Sequence, residues 1–385
     1  MKERPDFDAV PERSGTGSEK WRCRSGADVV PLGVADMDFA SPAAVGRALR
    51  DRVDHGIFGY TVPGPGLVEA VRAELRERSG WDVSPDWLVF LPGLVCALHA
   101  VCRLTEPGET VLTAVPVYPP FLTASGAMGR ETAAAAMRVE AGRWIFDPEA
   151  LETAAGRAGL FLLCNPHNPT GRVLDRAELE TLAEFCLRRR LLICSDEIHC
   201  GLILDRDRPH VSIAALGPEV AERTVTLLSP SKTYNLAGIG CALAVVPDPE
   251  LRRRFLAAVR GIVPHPGLFG LAAMEAAYRH GGPWREELLD YLRGNRDLVA
   301  AAVERIPGLA CIPPQATYLA WVDARAWGWE RPAERLRGFG VEVWDGSWFG
   351  VPGYFRVNFG CPRSLLSEGL RRIAAAVPEP CPPVS

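Results

Sequence analysis

Six short runs rich in valine, isoleucine and leucine recur through the middle of the chain without alternating between apolar and polar residues. They cover residues 87–91, 110–115, 160–164, 191–194, 224–228 and 241–246. Continuous apolar strands are typical of a sheet that helices cover on both faces, and helix-compatible stretches such as 176–190 lie between several of the runs. The pattern therefore predicts an α/β fold with a mostly parallel sheet.

The pattern changes after about residue 264. Two helical segments at 268–278 and 284–298 precede strand-like pieces at 317–322 and 354–359, which indicates a second, smaller α+β unit. We predict a large domain over residues 46–285. The small domain then combines residues 1–45 with 286–385, and residues 378–385 form a frayed tail.

Composition narrows the class of protein. The chain has 385 residues, 48% of them hydrophobic and 23% charged, with a net charge of −4. This balance fits a globular protein and has no basic patch for nucleic acid. The longest apolar runs are far shorter than the ~20 residues that a membrane helix needs. The eleven cysteines show no paired spacing, so we expect a reduced cytoplasmic protein with a small-molecule ligand and neither a nucleic-acid nor a membrane partner.

Lysine is scarce. Only Lys2, Lys20 and Lys232 occur among 43 basic residues, and the rest are arginines. A bias toward GC-rich codons explains why arginine takes the place of lysine in most positions. A guanidinium stays protonated and cannot serve as the amine of a Schiff base, so a retained lysine is a candidate for chemistry that arginine cannot perform.

Polar clusters follow three of the predicted strands. They occupy residues 165–171, 195–199 and 229–235, and they contain Asn168, Asp196 and Lys232 respectively. In an open α/β sheet the ligand lies beyond the carboxyl ends of the strands, so these clusters are expected to converge. A buried carboxylate needs a positive partner, which here is a lysine or a cofactor.

At these residues the chain resembles the fold-type I pyridoxal phosphate enzymes, aminotransferase class I and II, over essentially its whole length. Within them it is most similar to the cystathionine β-lyase branch of MalY and PatB type. The matching segments are 18–21, 34–39, 57–60, 116–121, 196–199 and 316–321. The resemblance implies an aspartate aminotransferase-like fold, whose large domain has a seven-stranded, mostly parallel sheet between helices.

The resemblance also implies roles around pyridoxal 5'-phosphate. Lys232 would form the Schiff base and then remove the Cα proton, which requires a lowered pKa. Asp196 would face the pyridine nitrogen and keep the ring protonated. Asn168 and His199 would hydrogen-bond near the phenolic oxygen, and Tyr118 would stack on the ring.

Further residues would bind phosphate and substrate. The phosphate donors implied are the backbone around Gly93, Leu94 and Val95, at a helix start, together with the hydroxyls of Ser229 and Ser231. Tyr60 would reach the phosphate of the neighbouring subunit in a homodimer and also line the substrate site. Arg356 would bind the carboxylate of an amino-acid substrate with its bidentate fork, beside Asn168.

Each assignment has a structural alternative. Lys232 could lie on the surface, Asp196 could be structural or bind a metal, and Tyr118 and Tyr60 could be ordinary aromatic residues. His199 could equally be a hydrogen-bonded structural histidine. Arg356 could form a solvated ion pair.

Cofactor residues do not select among reactions, because all these enzymes labilise a bond at Cα. The branch resemblance favours β-elimination from a cysteine S-conjugate or a cystathionine-like amino acid. The alternatives are an aminotransferase, a decarboxylating or oxidatively deaminating variant in natural-product biosynthesis, and a non-catalytic regulator with the same fold. Two features depart from the branch pattern. The branch usually has an acidic residue two positions after the segment that matches residues 196–199, where this chain has Cys200-Gly201. Residues 345–350 also form an unusually aromatic loop.

Overall fold

The computed structural model describes residues 5–24 and 28–378. Twelve α-helices lie in this part of the chain: α1 Ala43–His55, α2 Pro65–Ser79, α3 Leu94–Cys102, α4 Pro120–Ala127, α5 Pro148–Ala155, α6 Arg176–Arg188, α7 Pro218–Ala221, α8 Pro249–Val259, α9 Leu268–His280, α10 Gly282–Arg305, α11 Pro332–Gly338 and α12 Arg363–Ala374. The strands are β1 Val30–Pro31, β2 Leu88–Leu91, β3 Thr110–Val115, β4 Glu131–Glu140, β5 Arg143–Phe146, β6 Ala158–Cys164, β7 Leu192–Asp196, β8 Thr224–Leu228, β9 Ala242–Val245, β10 Ala310–Cys311, β11 Leu319–Asp323, β12 Val341–Glu342, β13 Trp344–Asp345 and β14 Tyr354–Asn358. The predicted frayed tail falls, from residue 379 onward, outside the described residues.

The main sheet has the strand order β2-β9-β8-β7-β6-β3-β4-β5. Strands β8, β7, β6, β3 and β4 run parallel, while β2, β9 and β5 pair antiparallel with their neighbours. All six predicted strands are present, so the predicted mostly parallel sheet is confirmed. It has eight strands, one more than the seven expected, because β4 turns back into β5.

The β4–β5 hairpin closes with a two-residue turn, Ala141-Gly142. Both residues have positive φ, 47° and 70°, as a type I′ turn requires. Strand β4 carries four consecutive alanines and exposed charged residues, which give neither a continuous apolar run nor a clear alternation. This composition explains why the hydrophobic pattern does not predict the hairpin.

The central strands are apolar throughout because both faces are covered. In β6, Leu160 and Leu162 pack into the core shared with α3, α4 and α8. The alternate residues Phe161 and Leu163 pack against α5 and α6 on the opposite face. Successive strand residues point to opposite faces, so the two helical layers together account for the uninterrupted run.

A second sheet, of order β10-β11-β14-β13, is antiparallel. Its core includes Phe7, Trp21 and Leu32 from the amino-terminal segment, and β1 pairs with β12. The amino-terminal residues thus pack onto elements from the end of the chain. The division into domains 46–285 and 1–45 with 286–385 stays a prediction.

No helix within residues 5–24 and 28–378 is long and apolar enough to cross a membrane. The cysteines that the structure describes are free thiols. The expected cytoplasmic location stays a prediction.

Candidate active site

A cavity of about 930 Å³ lies at the carboxyl ends of β6, β7 and β8. Ten of the predicted residues line it: Gly93, Leu94, Val95, Tyr118, Asn168, Asp196, His199, Ser229, Ser231 and Lys232. The polar clusters that follow separate strands therefore converge, because parallel strands end at one edge of the sheet. Neither Arg356 nor Tyr60 lines the cavity, but Arg356 donates a hydrogen bond to Asn168, which does.

Lys232 follows β8 and directs its amine into the cavity. Its Nζ donates a hydrogen bond to the carbonyl oxygen of Ala35 at 2.7 Å. The residue is partly accessible from the cavity, yet burial of the amine lowers the pKa of Lys232 to about 8, and the positive charge of Arg356 adds to this effect. A substantial fraction of this amine is therefore neutral near physiological pH.

Asp196 ends β7 and faces the same cavity. Its Oδ1 accepts a hydrogen bond from the backbone N–H of Ile198 at 3.0 Å. Burial raises the pKa of Asp196 to about 7, and the neighbouring charge of Glu197 also raises it. Among the described residues no basic side chain forms an ion pair with this carboxylate, and the charge of Lys232 acts on it only from a distance. The carboxylate is therefore available to a positively charged group of a ligand.

The adjacent carboxylate of Glu197 points into the protein, where three side chains bind it. Ser195 and Ser212 donate to its Oε1 at 2.9 and 2.8 Å, and the Nε2 of His210 lies 2.8 Å from its Oε2. This fully hydrogen-bonded group holds the end of β7 and thereby orients Asp196. His210 and Ser212 lie in a loop with no recognisable motif, so the sequence carries no signal for their role.

Backbone N–H groups at the start of α3 form one end of the cavity. The helix begins at Leu94 after Gly93, with no side-chain cap. The hydroxyl of Ser229 donates to the carbonyl of Cys241 at 2.6 Å and lies 2.9 Å from the hydroxyl of Ser231. A helix amino terminus with adjacent hydroxyls is suited to an anion.

Arg356 is buried on β14. Its guanidinium donates to the Oδ1 of Asn168 and to the carbonyl of Gly33, each at 3.0 Å, while its Nε has no partner. Trp344, which also lines the cavity, stacks on the guanidinium at 4.3 Å. Burial lowers the pKa of Arg356 to about 9. A buried cation whose described contacts are neutral favours an anionic ligand.

Two further predicted residues differ in their surroundings. Tyr118 lies on the cavity wall, and burial raises its pKa. His199 is buried, its Nδ1 has no hydrogen-bond partner, and burial lowers its pKa well below the usual value. The neutral imidazole therefore has an unused polar atom at the cavity, which a ligand oxygen or hydroxyl can satisfy.

Residues 33–39, here called the 33–39 segment, cross the site and were not assigned a role from the sequence. The Nδ2 of Asn358 donates to the carbonyls of Val34 and Asp36 at 2.6 and 2.7 Å. Tyr318 donates to the same Ala35 carbonyl as Lys232, at 2.9 Å. Asn358 lies two residues after Arg356 on the same strand, so its inward direction follows from strand periodicity.

The side chain of Tyr60 is 110% exposed relative to an isolated residue. Exposed apolar residues surround it in sequence: Ile57, Phe58 and Val62. The predicted role of Tyr60 requires a second subunit, so the single chain leaves that role as a prediction.

The two departures from the branch pattern have structural explanations. A Cβ at Gly201 would collide with the guanidinium of Arg78 and with Thr233, so Arg78 fills the space of a longer side chain. In the aromatic loop, Phe349 is buried against Arg356 and Trp348 is 53% exposed. Neither residue lines the cavity; Trp344, just before the loop, does.

Comparison with known proteins gives one family and full-length relatives. The family model described as aminotransferase class I and II matches residues 27–373. The cystathionine beta-lyase PatB of Bacillus subtilis is 39% identical over 97% of this chain and 100% of its own length.

Solved structures also match this chain over nearly its whole length. The crystal structure of a protein named OvoB has a TM-score of 0.95 and 42% identity, covering 98% of this chain and 100% of that one. Cystalysin from Treponema denticola, whose structure contains pyridoxal 5'-phosphate, has a TM-score of 0.91 and 30% identity over 96% of this chain and 98% of its own.

Proposed function

The chain belongs to the aminotransferase class I and II family, and from this premise we propose that it is a pyridoxal 5'-phosphate-dependent carbon–sulfur β-lyase. The observation that carries the proposal is the convergence of the Lys232 amine, the buried Asp196 carboxylate and the start of α3 on one cavity. The full-length relative named as a cystathionine beta-lyase supports the reaction class.

The side chains of the cavity fit the cofactor. Asp196 is a buried carboxylate with no side-chain cation bound to it, which suits a protonated pyridine nitrogen. The free N–H groups after Gly93 and the hydroxyls of Ser229 and Ser231 suit a phosphate. Tyr118 provides an aromatic wall for the ring, and the unpaired Nδ1 of His199 provides a polar contact.

When bound, pyridoxal phosphate supplies a ring that accepts the electron pair released at Cα. Lys232 would hold the cofactor through its aldehyde, and its amine is placed to take the proton from Cα of the substrate. Its lowered pKa leaves it able to act as a base at neutral pH. Asp196 keeps the ring nitrogen protonated and thus holds a positive charge where electrons accumulate.

Arg356 and Asn168 bind the substrate carboxylate in this proposal. Arg356 is already oriented by Asn168, by the carbonyl of Gly33 and by the ring of Trp344. Its Nε remains free for a further hydrogen bond. A planar guanidinium that is held in place can bind a carboxylate in bidentate fashion and fix the Cα–H bond toward Lys232.

The reaction balances with water as the only co-reactant. The Cα–H and Cβ–S bonds break, and the sulfur leaves with its substituent and takes up a proton as a thiol. Water hydrolyses the remaining three-carbon unit to pyruvate and ammonium. No group on the chain changes its oxidation state.

We further infer a homodimer in which Tyr60 contacts the active site of the partner subunit. Its complete exposure, among the exposed residues Ile57, Phe58 and Val62, supports this assembly. Contiguous apolar exposure of this kind is typical of an interaction surface.

Product analysis tests the proposed function. The purified protein with pyridoxal phosphate is mixed with L-cystathionine or S-substituted cysteines, with and without a 2-oxo acid. A β-lyase releases thiol, pyruvate and ammonium in equal amounts without the 2-oxo acid, and the Lys232→Ala variant does not. Keto-acid formation that strictly depends on the 2-oxo acid would identify an aminotransferase instead. A protein without activity on any of these amino acids would overturn the proposal.

A further inference from the structure

Two donors converge on the carbonyl oxygen of Ala35. The Nζ of Lys232 lies 2.7 Å from this oxygen, and the hydroxyl of Tyr318 lies 2.9 Å from it. Tyr318 is buried, with 1% of its surface exposed, and it does not line the cavity that Lys232 enters. Its hydroxyl can therefore act on the lysine amine through the shared carbonyl, without touching a ligand.

The backbone around Tyr318 is held in an unfavourable conformation. The preceding residue, Thr317, is fully buried and has a φ of 73°, a region that β-branched residues rarely adopt. The N–H of Thr317 donates to the carbonyl of Leu202 at 2.8 Å, and its Oγ1 accepts from the N–H of Leu319 at 3.0 Å. The carbonyl of Tyr318 accepts from the N–H of Phe359 at 2.8 Å. Such strain persists only where the surroundings hold it, so the direction of the tyrosine side chain is fixed on both sides.

Several charged or titratable groups also act on the lysine amine. They are Arg356 on β14, Asp196 at the end of β7, Asp36, which follows the shared carbonyl, and the imidazole of His199. These groups act through their charge across space, whereas Tyr318 acts through a hydrogen bond to the acceptor of the amine. A change confined to the tyrosine hydroxyl leaves all four groups in place, so its effect on the amine can be measured separately.

We propose that Tyr318 is a positioning residue for Lys232, because through the shared carbonyl its hydroxyl directs the free amine and favours the neutral form of that amine. This inference rests on the proposed lyase function and concerns how the base of the same site is prepared. A carbonyl oxygen that already accepts from a hydroxyl is a weaker acceptor for a second donor, and the protonated amine loses more from this than the neutral amine does. An amine that donates to the carbonyl also keeps its lone pair on the side away from that oxygen.

The pH dependence of cofactor uptake by the apoprotein tests the proposal, because only the neutral amine attacks the aldehyde. In the wild type the second-order rate should level off above pH about 8. In Tyr318→Phe the inflection should move upward by about half to one pH unit, the effect of one neutral hydrogen bond. The rate at pH 7 should then be about three- to tenfold lower than in the wild type, and the two rates should agree well above both inflections.

A second substitution changes the strength of the hydroxyl as a donor and keeps the hydrogen bond. Placing 3-fluorotyrosine at position 318 makes the phenol more acidic and therefore a stronger donor, so the inflection should move to lower pH. A loss of packing alone does not move the inflection in opposite directions in these two proteins. Tyr354→Phe is the matched control and should keep the wild-type inflection, because Tyr354 is a buried tyrosine on β14 that stacks on Trp321 and does not line the cavity.

The outcomes separate the two proposals. An inflection that Tyr318→Phe leaves unchanged, or that moves in the same direction in both substituted proteins, overturns the role of Tyr318 and leaves the lyase function standing. If Tyr318→Phe does not fold, the fluorotyrosine protein decides alone: a lower inflection supports the role and an unchanged one overturns it. A wild-type apoprotein that develops no visible band with pyridoxal phosphate overturns the lyase function and the role of Tyr318 together.

Discussion

At the scale of single residues, the site is defined by charges that the protein does not neutralise. Asp196 and Arg356 are buried, and among their described contacts neither has an ion-pair partner. Removing a charge from water without a partner is costly, so such groups are expected to shift their pKa or to bind a ligand of opposite charge. Both pKa shifts are in the direction of the neutral form. The energetic cost is thus offset when cofactor and substrate bind.

The lowered pKa of Lys232 predicts how the apoprotein combines with pyridoxal phosphate. Only the neutral amine attacks the aldehyde, so the second-order rate should rise about tenfold per pH unit and level off above pH about 8, where Lys232 loses its proton. Replacing Arg356 by Gln removes a positive charge that lowers this pKa, so the inflection should move to higher pH. The appearance of the visible absorption band after cofactor addition measures the rate.

The control for that shift is Arg305→Gln, because Arg305 lies at the exposed end of α10 and bonds only a backbone carbonyl among its described partners. Its inflection should match the wild type. An inflection near pH 10 in the wild type, or no shift in the Arg356 variant, contradicts the assigned environment of the amine.

The raised pKa of Asp196 predicts the pH dependence of apoprotein stability. The folded-state pKa of about 7 exceeds the ordinary value of 3.8, so the folded state binds the proton more tightly than the unfolded state does. The contribution of this group to stability is therefore fully present below pH about 4 and is lost as the pH rises through 7. In Asp196→Asn the free energy of unfolding should decline less between pH 5 and pH 7.5. Urea titrations of both apoproteins give the comparison, and equal slopes would argue against a buried carboxyl at this position.

At the scale of elements, the 33–39 segment couples the two ends of the chain at the site. It accepts hydrogen bonds from Asn358 and Tyr318 on one side and from Lys232 on the other. Asn235, which adopts a φ of 56°, binds the backbone of Met37 in both directions. The position of the Ala35 carbonyl, and with it the lysine amine, therefore depends on residues distant in sequence.

Substitution of Asn358 by Ala should destabilise the protein by about 1–3 kcal/mol, the usual cost of leaving buried polar groups unsatisfied. The carbonyls of Val34 and Asp36 lose their shared donor, and the N–H of Gly360 loses its acceptor. We expect a lower thermal midpoint and a reduced kcat/KM. Asn358→Asp keeps the acceptor and the shape but not the donor, so a thermal midpoint equal to that of the wild type in this variant would contradict the role given to the amide.

The sequence pattern predicts the central elements because their burial on both faces leaves a direct mark on composition. Thr110–Val115 and Thr224–Leu228 coincide with the predicted bounds. Strand β4, next to the edge of the sheet, leaves no such mark, since alanines and charged residues suffice there. The site shows the same division. Residues directly after strands were predicted, whereas Tyr318, Trp344 and Asn358 reach the site only through tertiary packing.

At the scale of the whole molecule, the exposed residues around Tyr60 predict a dimer. A chain of 41.9 kDa should sediment at about twice that mass if the homodimer forms. Tyr60→Ala should weaken retention of pyridoxal phosphate during dialysis, because the contact would come from the partner subunit. Tyr60→Phe keeps the ring and removes only the hydroxyl, so the affinity for the cofactor should fall by about two- to tenfold. A wild-type protein that sediments as a monomer would contradict this assembly. So would a Tyr60→Ala variant that retains the cofactor as tightly as the wild type.

The proposed function depends above all on the Lys232 amine binding the aldehyde of pyridoxal phosphate. Borohydride reduction of the holoenzyme followed by peptide mass spectrometry tests it most directly. We expect a stable cofactor adduct on the peptide containing Lys232 and none on the peptide containing Lys20, whose amine is bound by Asp38. A protein that stays colourless with added cofactor, or an adduct on another residue, would show that Lys232 does not bind the cofactor.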